Sequence, residues 1–263
     1  MTEIKGTALL TGASGGIGHA IARALAKRGA KLVLTGRRAD LLEPLAAEVG
    51  GRALALDLAD RASVYRLAEE AGDVEILIAN AALPASGTLD DYAVEQIDRA
   101  LDVNLRAPVM LAKLISEQMV ARGHGHLVFI SSLAGKAATP GGSLYSATKF
   151  GMRGFALGLR EDLRPHGVGV STIYPGFIRD AGMFAKTGVE LPRGVGTRTP
   201  EDVAKVVVKA IERNRSEGNV APLGVRLGAA FAGLAPELSA SLARRMGSTR
   251  LAVDMADAQR EVR

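Results

Sequence analysis

A glycine-rich segment between two apolar segments places the strongest constraint on the fold of this chain. Thr7–Thr11 predicts a buried strand, and His19–Arg28, which ends at Gly29, has helical periodicity. Between them lies Gly12-Ala-Ser-Gly-Gly-Ile-Gly18. Glycines let the backbone approach a pyrophosphate closely, and the N-terminus of the following helix offers unpaired N–H groups. The segment therefore predicts a dinucleotide-binding turn in an α/β fold, although its G-x-x-x-G-x-G spacing differs from G-x-G-x-x-G.

The same residues also match a nucleophile motif. Gly12-Ala-Ser14-Gly-Gly16 fits G-x-S-x-G, the strand-to-helix elbow of α/β-hydrolases. Ser14 would, however, follow the first strand, no HGGG-like segment is visible, and His166, the only late histidine, lies beside a turn. A serine hydrolase using Ser14 remains an alternative of lower weight.

Composition excludes several function classes. The 263 residues are 48% hydrophobic, enough to bury the core of one large α/β domain, and contain no cysteine. Disulfides, a thiol nucleophile and a cysteine-bound metal are thereby excluded. The four histidines are scattered and His-Glu-x-x-His is absent, so no metal site is expected.

Charge and the N-terminus bear on partners and location. The net charge is +5, but charges of both signs are interspersed and aromatic residues make up only 4%, so no nucleic-acid partner is expected. Met1-Thr-Glu-Ile-Lys-Gly leads directly into a strand without a signal-peptide pattern, which favours the cytoplasm. No stretch of 18 or more uncharged apolar residues predicts a spanning helix.

Two arginines follow the second predicted strand, Lys31–Thr35. An NAD site places an acid about 20 residues after the glycines to bind the ribose 2′-hydroxyl, whereas arginine there accommodates a 2′-phosphate. Here Gly36-Arg37-Arg38 replaces the acid. The position favours NADP(H), with NAD(H) as the alternative.

Further strands and helices alternate along the chain. The third strand is predicted at Ala53–Leu58, where Asp57 could meet an adenine ring, and the fourth, from Ile76, stops at Asn80 and small residues. The remaining predicted elements are helices over 61–71, 93–121 and 199–213, a fifth strand Leu127–Ile130 and a last strand Val220–Leu223.

Tyr145 and Lys149 stand four residues apart at the start of a helical segment, so both side chains share one face. An ammonium about 4 Å from a phenol favours the phenolate by about three pKa units, which predicts a lowered tyrosine pKa. Alone, this spacing usually marks an exposed pair. Ser132 ends the fifth strand 13 positions earlier, before a glycine-rich loop that can fold it back toward the tyrosine. Asn104, within an apolar helix, needs a hydrogen-bonding role.

In this order, the motifs resemble those of the short-chain dehydrogenase/reductase family. The resemblance rests on Thr11–Gly18, Asp57, Asn80-Ala81, Asn104, Ser132, Tyr145 with Lys149, and Pro175-Gly176. It implies Tyr145 as general acid/base, Lys149 on the nicotinamide ribose and lowering the tyrosine pKa, Ser132 on the substrate oxygen, and Asn104 ordering a water relay. The expected cofactor-binding residues are Gly12, Ser14, Gly15, Gly16, Ile17, Gly18, Arg37, Arg38, Asp57, Leu58, Asn80, Ala81, Tyr145, Lys149, Pro175, Gly176 and Ile178.

Two positions depart from the family pattern. Ala82 replaces the glycine that usually follows Asn-Ala, a small change. Asp180 stands where a threonine often contacts the nicotinamide amide, and an ionised carboxylate accepts hydrogen bonds but donates none. The anchoring of the nicotinamide is therefore expected to differ from the family pattern.

The remaining chain is expected to carry specificity. Residues 177–197 combine apolar side chains with glycines, which predicts a mobile lid over an apolar substrate. From Gly224 an apolar stripe at helical spacing, with Arg244 and Arg245 nearby, predicts packing on the same domain or another subunit, with peripheral membrane contact as an alternative. The stripe consists of Leu227, Ala230, Phe231, Leu234, Leu238, Leu242 and Met246.

The sequence thus predicts a doubly wound, Rossmann-like three-layer α/β sandwich with a mostly parallel, about seven-stranded sheet. Residues 1–223 are expected to form the dinucleotide-binding and catalytic domain and 224–263 its helical extension. The expected function is NADP(H)-dependent interconversion of a small-molecule carbonyl and a secondary alcohol. A non-catalytic NADP(H)-sensing regulator on the same fold is the other alternative. The family resemblance implies a homodimer or homotetramer with helices near 93–121 and 145–164 at an interface.

Overall fold

The computed structural model describes residues 4–185, 187–189, 191, 195–245 and 257–258. Within these residues, seven strands form one sheet in which every neighbouring pair is parallel. The strands are β1 (Thr7–Thr11), β2 (Lys31–Gly36), β3 (Arg52–Ala55), β4 (Ile76–Ala79), β5 (Gly125–Ile130), β6 (Val168–Pro175) and β7 (Glu217–Val220). Their order is β3-β2-β1-β4-β5-β6-β7. This topology confirms the predicted doubly wound fold.

Helices connect the strands and cover both faces of the sheet. They are α1 (Gly16–Ala26), α2 (Ala39–Val49), α3 (Arg61–Ala71), α4 (Val94–Leu101), α5 (Ala107–Arg122), α6 (Ser143–Leu163), α7 (Gly182–Ala185), α8 (Pro200–Glu212), α9 (Leu223–Leu234) and α10 (Pro236–Arg245). Short 3₁₀ turns occur at Leu89–Asp91, Leu133–Gly135 and Arg164–His166, and a π-helical turn joins α4 to α5 at Asp102–Arg106.

The alternation of β1 divides the core into two layers. Ala8 and Leu10 pack in one apolar cluster with residues of α1, α2 and α8. Leu9, on the opposite face, packs in a second cluster with residues of α3, α5 and α6. Because successive side chains of a strand point to opposite faces, the sheet is buried on both sides. This is the predicted three-layer sandwich.

The predicted start of α8 is confirmed by its cap. Thr199 Oγ1 accepts a hydrogen bond from Asp202 N–H at 3.2 Å, and the Asp202 carboxylate accepts one from Thr199 N–H at 3.3 Å. Pro200 occupies the first helical position, where its missing N–H costs nothing.

Three predicted element boundaries are wrong. β3 ends at Ala55 rather than at Leu58, because the Asp57 carboxylate accepts a hydrogen bond from Ala59 N–H and turns the chain. The helix predicted over 93–121 contains the π-helical turn, which inserts an extra residue that periodicity does not reveal. The last strand is Glu217–Val220, because the chain enters α9 after Pro222.

The predicted C-terminal stripe is helical but does not pack on its own domain. Leu227, Leu234 and Leu238 are 62%, 87% and 62% exposed, and Phe231 and Leu242 are also exposed. Met246 and the side chains of Arg244 and Arg245 lie outside the described residues. Packing on the same domain is therefore wrong for the described part of the stripe, while contact with another subunit or a membrane surface stays a prediction. None of the helices in the described ranges has both the length and the apolar composition needed to cross a bilayer.

Candidate active site

The carboxyl ends of the parallel strands share one edge of the sheet, and the predicted site residues follow them. Gly12 follows β1, Asn80 follows β4, Ser132 lies just after β5, and Pro175 ends β6. The strand order reverses between β1 and β4, which is where open α/β sheets form a ligand-binding crevice. The topology therefore brings these predicted residues to one crevice.

The glycine turn after β1 is closely packed and leaves the N-terminus of α1 uncapped. Gly12 has a φ of 65°, and a Cβ atom there would lie 2.7 Å from Ala81 Cα. At Gly18 a Cβ atom would lie 2.5 Å from Gly12 O. Gly15, the N-cap of α1, is exposed, no side chain caps it, and no acidic residue lies in the first turn. The turn thus presents backbone N–H groups and a positive helix end to an anion.

A hydrogen-bond network joins the ends of β1 and β4. Asn80 Nδ2 donates to Thr11 O at 3.1 Å and to Gly12 O at 3.0 Å. In return, Thr11 Oγ1 accepts the N–H groups of Asn80 and Ala81, each at 3.0 Å. Asn80 therefore holds the glycine turn in place, and the small side chain of Ala81 lets Gly12 approach closely.

The end of β2 faces the same turn. A Cβ atom on Gly36 would lie 3.1 Å from Ser14 Oγ, so Ser14 packs against the strand end. Arg37 and Arg38 follow and are exposed. Neither guanidinium forms a salt bridge with any other residue that the structure describes. Two cationic groups beside an uncapped helix N-terminus fit an additional phosphate.

Asp57 lies after β3 and is held by two donors. Its carboxylate accepts Ala59 N–H at 3.0 Å and Arg99 Nη2 at 2.8 Å. Burial raises the pKa of Asp57, but the hydrogen bonds from Ala59 and Arg99 outweigh this effect and leave the pKa below its usual value. Leu58 beside it is buried. The Asp57–Leu58 turn is therefore fixed before any ligand binds.

Ser132, Tyr145 and Lys149 meet beyond β5. The hydroxyl groups of Ser132 and Tyr145 share a hydrogen bond, and Ser132 Oγ also accepts Ala134 N–H at 3.1 Å. Lys149 Nζ lies 5.4 Å from the centre of the Tyr145 ring and donates to Ile130 O at 3.2 Å. The predicted helical pair thus shares one face of α6, and the end of β5 anchors its lysine.

The predicted direction of the tyrosine shift is wrong in this structure. Burial raises the pKa of Tyr145 to about 12, and the hydrogen bond from Ser132 only partly offsets this rise. Burial also lowers the pKa of the Lys149 ammonium to about 8. Desolvation penalises the charged form of each group and is the largest cause of both shifts. Tyr145 is consequently protonated at neutral pH.

The π-helical turn carries Asn104, which is buried. Its Oδ1 accepts Leu83 N–H at 2.6 Å, and its Nδ2 donates to Leu83 O at 3.0 Å. The predicted need for a hydrogen-bonding partner is therefore met by the segment that follows β4.

The segment after β6 closes the crevice on its other side. Gly176 N–H donates to Val220 O at 3.0 Å, and Ile178, 3% exposed, pairs with Arg198. Asp180 has a φ of 67° and Ala181 lies in contact distance of Gly16, so this segment reaches the glycine turn. Residues 186, 190 and 192–194 of the predicted lid lie outside the described residues, and its mobility stays a prediction.

The serine hydrolase alternative has no geometric support. Ser14 follows the carboxyl end of β1, whereas His166 ends the turn before the amino end of β6, at the opposite edge of the parallel sheet. A nucleophile and its base must lie within hydrogen-bond reach, so His166 cannot serve as the base for Ser14. In the described ranges, no group of three or more histidine or acidic side chains could hold a metal ion.

Several contributors to the site were not anticipated from the sequence. Arg99 holds Asp57 from α4, 42 residues away, and Leu83 provides both partners of Asn104 through its backbone. Backbone partners leave no residue-type signal, and a long-range arginine is indistinguishable from other helix-surface cations.

Known proteins share this arrangement. Residues 6–190 match the sequence model of the short chain dehydrogenases. The chain belongs to the short-chain dehydrogenase/reductase family. As a member of this family it is an oxidoreductase. Ketoacyl reductase HetN from Nostoc sp. is 37% identical over 227 residues, covering 82% of this chain and 79% of the relative.

Solved structures of the family share the fold. A short-chain dehydrogenase from Sphingobium yanoikuyae in complex with NADPH is 29% identical, with a TM-score of 0.77 over 89% of this chain and 96% of that one. The closed form of serine dehydrogenase complexed with NADP+ is 30% identical, with a TM-score of 0.74 over 83% of this chain and 95% of that one.

Proposed function

We propose that this oxidoreductase interconverts a carbonyl compound and a secondary alcohol with NADP(H) as cofactor. The observation that carries the proposal is the cluster of Ser132, Tyr145 and Lys149 at the same edge of the sheet as the uncapped glycine turn. Carbonyl reduction requires a proton donor beside a nucleotide-binding site.

The residues at the strand ends fit a dinucleotide. The turn from Gly12 to Gly18 would hold the pyrophosphate, and Asp57 with Leu58 the adenine. Arg37 and Arg38, exposed and without salt bridges to described residues, would bind a 2′-phosphate, which favours NADP(H) over NAD(H). The two relatives solved with NADPH and NADP+ support the same preference.

Each polar side chain of the candidate site has its own role in the proposed proton transfer. Bound NADPH would supply a hydride to the carbonyl carbon. The Ser132 hydroxyl would donate a hydrogen bond to the substrate oxygen, and the Tyr145 hydroxyl would protonate that oxygen as negative charge develops on it. The Lys149 ammonium would bind the nicotinamide ribose and stabilise the resulting phenolate, while Asn104 would help to order a water relay that returns the proton.

Reduction is the direction that the pKa values favour at neutral pH. Burial raises the pKa of Tyr145 to about 12, so the residue begins as a proton donor. With a pKa of about 8, Lys149 is still mostly charged at pH 7 and can stabilise the phenolate electrostatically. Reductase activity is therefore expected to fall as the pH rises through about 8.

An apolar substrate is supported by the segment after β6. The rings of Phe177 and Phe184 meet edge to face with centroids 5.0 Å apart beside the crevice. The name of the Nostoc relative, a ketoacyl reductase, is compatible with a ketone on an apolar chain.

Self-association through α4, α5 and α6 forms part of the proposal. Val94 on α4 is 67% exposed, and Phe150 and Leu157 on α6 are each 40% exposed. Large exposed apolar side chains on neighbouring helices favour a homodimer or homotetramer. The mass in solution of the wild type and of a Phe150→Glu/Leu157→Glu variant would test this expectation.

The first test is thermal unfolding with NADPH or NADH at equal concentration. A hundredfold excess over Kd should stabilise the native state by about 2.7 kcal/mol. We expect the larger shift with NADPH and its loss in the Arg37→Ala/Arg38→Ala variant. A larger shift with NADH would overturn the cofactor assignment.

The second test separates the enzyme from an NADP(H)-sensing regulator. In a screen of apolar ketones, Tyr145→Phe should lose turnover by about a hundredfold or more but keep the NADPH-induced shift. Cofactor binding by the wild type without turnover of any carbonyl would favour the regulator.

A further inference from the structure

A charged cluster that the proposed chemistry does not use contacts the turn that follows Ser132 and the helix α6. We call Lys136, Arg153, Tyr174 and Glu217 the Glu217 cluster. Lys136 Nζ lies 2.8 Å from Glu217 Oε2, and Arg153 Nε lies 3.2 Å from Glu217 Oε1. The Tyr174 hydroxyl donates to Oε1 at 2.7 Å, and Lys136 Nζ lies 3.9 Å from the centre of the Tyr174 ring.

The cluster is largely shielded from water. Tyr174 is fully buried, and the side chains of Lys136, Glu217 and Arg153 are 14%, 26% and 35% exposed. Burial raises the pKa of Glu217, but hydrogen bonds from Lys136 and Tyr174 outweigh it, so the pKa stays below its usual value. Glu217 is therefore a carboxylate, and the two cations converge on it.

One cation of the cluster is directly linked to Ser132. Ser132 begins the 3₁₀ turn Leu133–Gly135 and Lys136 ends it, with Lys136 N–H donating to Leu133 O at 2.9 Å. The two residues are thus opposite ends of a single hydrogen-bonded turn. A displacement of Lys136 would be transmitted to the Ser132 hydroxyl.

The other cation lies on the helix that carries the tyrosine. Arg153 follows Lys149 by four residues, and Lys149 follows Tyr145 by four, so all three lie on one face of α6. Glu217 opens β7 and, with Tyr174 of β6, forms part of the rigid sheet. The carboxylate thereby fixes both the Ser132 turn and α6 to the same point of the sheet.

We propose that Glu217 is a positioning residue that sets the Ser132–Tyr145 geometry through its ion pairs with Lys136 and Arg153. The inference rests on the proposed reductase function, which it deepens. Loss of the carboxylate would leave two half-buried cations uncompensated and repelling each other. The turn and the helix would then move apart, whereas the glycine turn and the arginines after β2 touch none of these residues.

A matched control exists at the end of α8, where Glu212 pairs with the arginine that follows α1. Arg28 and Glu212 form a 3.2 Å ion pair whose side chains are each 20% exposed. Glu212→Gln therefore removes an ion pair of similar burial that includes neither Lys136 nor Arg153 and touches neither the Ser132 turn nor α6. Comparing it with Glu217→Gln separates a general loss of stability from a loss of positioning.

The experiment measures turnover, cofactor affinity and amide hydrogen exchange for the wild type and both variants. Glu217→Gln should lower kcat by about tenfold to a hundredfold and keep the Kd for NADPH within about twofold, because the misplacement is confined to the reacting groups. Glu212→Gln should keep both values. Lys136→Gln and the Glu217→Gln/Lys136→Gln double variant are measured in the same way. The double variant should lose no more than the more affected of its two single variants, because the two residues act as one unit.

Two results would overturn the proposal. One is a kcat of Glu217→Gln within twofold of the wild type. The other is an equal loss of kcat in Glu212→Gln, which would assign the effect to stability.

If the wild type binds NADPH without turnover, hydrogen exchange tests the positioning role of Glu217 by itself. That result would defeat the proposed function but not the positioning role. Faster exchange in residues 132–136 and 145–153 of Glu217→Gln, but not of Glu212→Gln, would then support the role of Glu217 in fixing the Ser132 turn and α6. Unchanged exchange in these segments would refute it.

Discussion

The side-chain amide of Asn104 satisfies both backbone polar groups of Leu83, accepting its N–H at 2.6 Å and donating to its C=O at 3.0 Å. The pair fastens the π-helical turn Asp102–Arg106 to the chain that leaves β4. In the same turn Arg106 donates to Ala59 O at 3.0 Å, so the turn also contacts the segment after β3. One local irregularity in a helix thereby joins two strand ends of the crevice.

Removing the Asn104 amide should destabilise the protein. Asn104→Ala leaves the N–H and C=O of Leu83 without these partners. An unsatisfied group costs about 1–3 kcal/mol when it is fully buried, and because Leu83 is half-buried we expect about 1–3 kcal/mol for the two groups together. Urea unfolding should show a loss in this range. Gln96→Ala, which removes an exposed hydrogen bond to Ala93 N–H, should cost less. Equal losses for the two variants would contradict the account.

Lys149 is expected to lower the stability of the folded state at neutral pH, although the proposed reaction requires it. Because burial lowers its pKa to about 8 from 10.5, the ammonium destabilises the folded state below pH 8, and this penalty fades as the pH rises to 10.5. Lys149→Met should therefore raise the unfolding free energy at pH 7 by about 1–3 kcal/mol and abolish turnover. The gain should shrink at pH 10, and Lys113→Met, on an exposed side chain, should show none. A loss of stability at both pH values would refute this view.

His126 should make the protein sensitive to acid. Burial, with a smaller contribution from Arg160, lowers its pKa from 6.5 to about 4, and its Nε2 lies 2.7 Å from Ser171 Oγ. Between pH 6.5 and about pH 4, the unfolded chain binds a proton that the folded chain does not. The free energy of unfolding therefore falls as the pH is lowered through this range. About 3 kcal/mol should be lost from pH 7 to pH 4 through this group. His126→Gln should flatten the melting profile there, whereas the exposed His166→Gln should not.

Gly16 and Gly15 offer a paired test of the crevice wall. A Cβ atom at Gly16 would overlap the methyl group of Ala181, whereas at Gly15 its nearest neighbour would be Gly12 O at 3.7 Å. Gly16→Ala should therefore displace the segment after β6 and cost about 1–3 kcal/mol by overpacking. Gly15→Ala should have little effect on thermal unfolding without cofactor. Similar melting temperatures for the two variants would contradict this expectation, because they would show that Ala181 can move away from the added methyl group at little cost in stability.

The sequence predicted the strands and glycine turn well because their signals are local. β1 has the predicted bounds, since an apolar segment followed by glycine is a strong pattern. Tyr145, Lys149 and Ser132 converge as expected because helical spacing and the end of a strand fix their directions. By contrast, the tyrosine pKa depends on burial in three dimensions, and the predicted direction is opposite to the one in this structure.

Features that depend on distant contacts were not predictable. The extra residue of the π-helical turn leaves the apolar spacing of 93–121 nearly unchanged, although it turns Asn104 toward Leu83. The carboxylate of Glu217 meets Lys136 across 81 positions and Arg153 across 64. No local pattern marks partners at such separations.

The strand order has a consequence for how the protein is made. β1, the first of the seven strands to be synthesised, lies in the interior of the sheet and pairs with β2 on one side and β4 on the other. After β4 is added, each later strand joins the growing edge in turn until β7 completes the sheet. A nascent chain therefore carries an unpaired parallel edge throughout most of its synthesis, and such edges expose slow-folding intermediates to aggregation. Slower elongation before β5 should increase the dependence of the yield on chaperones.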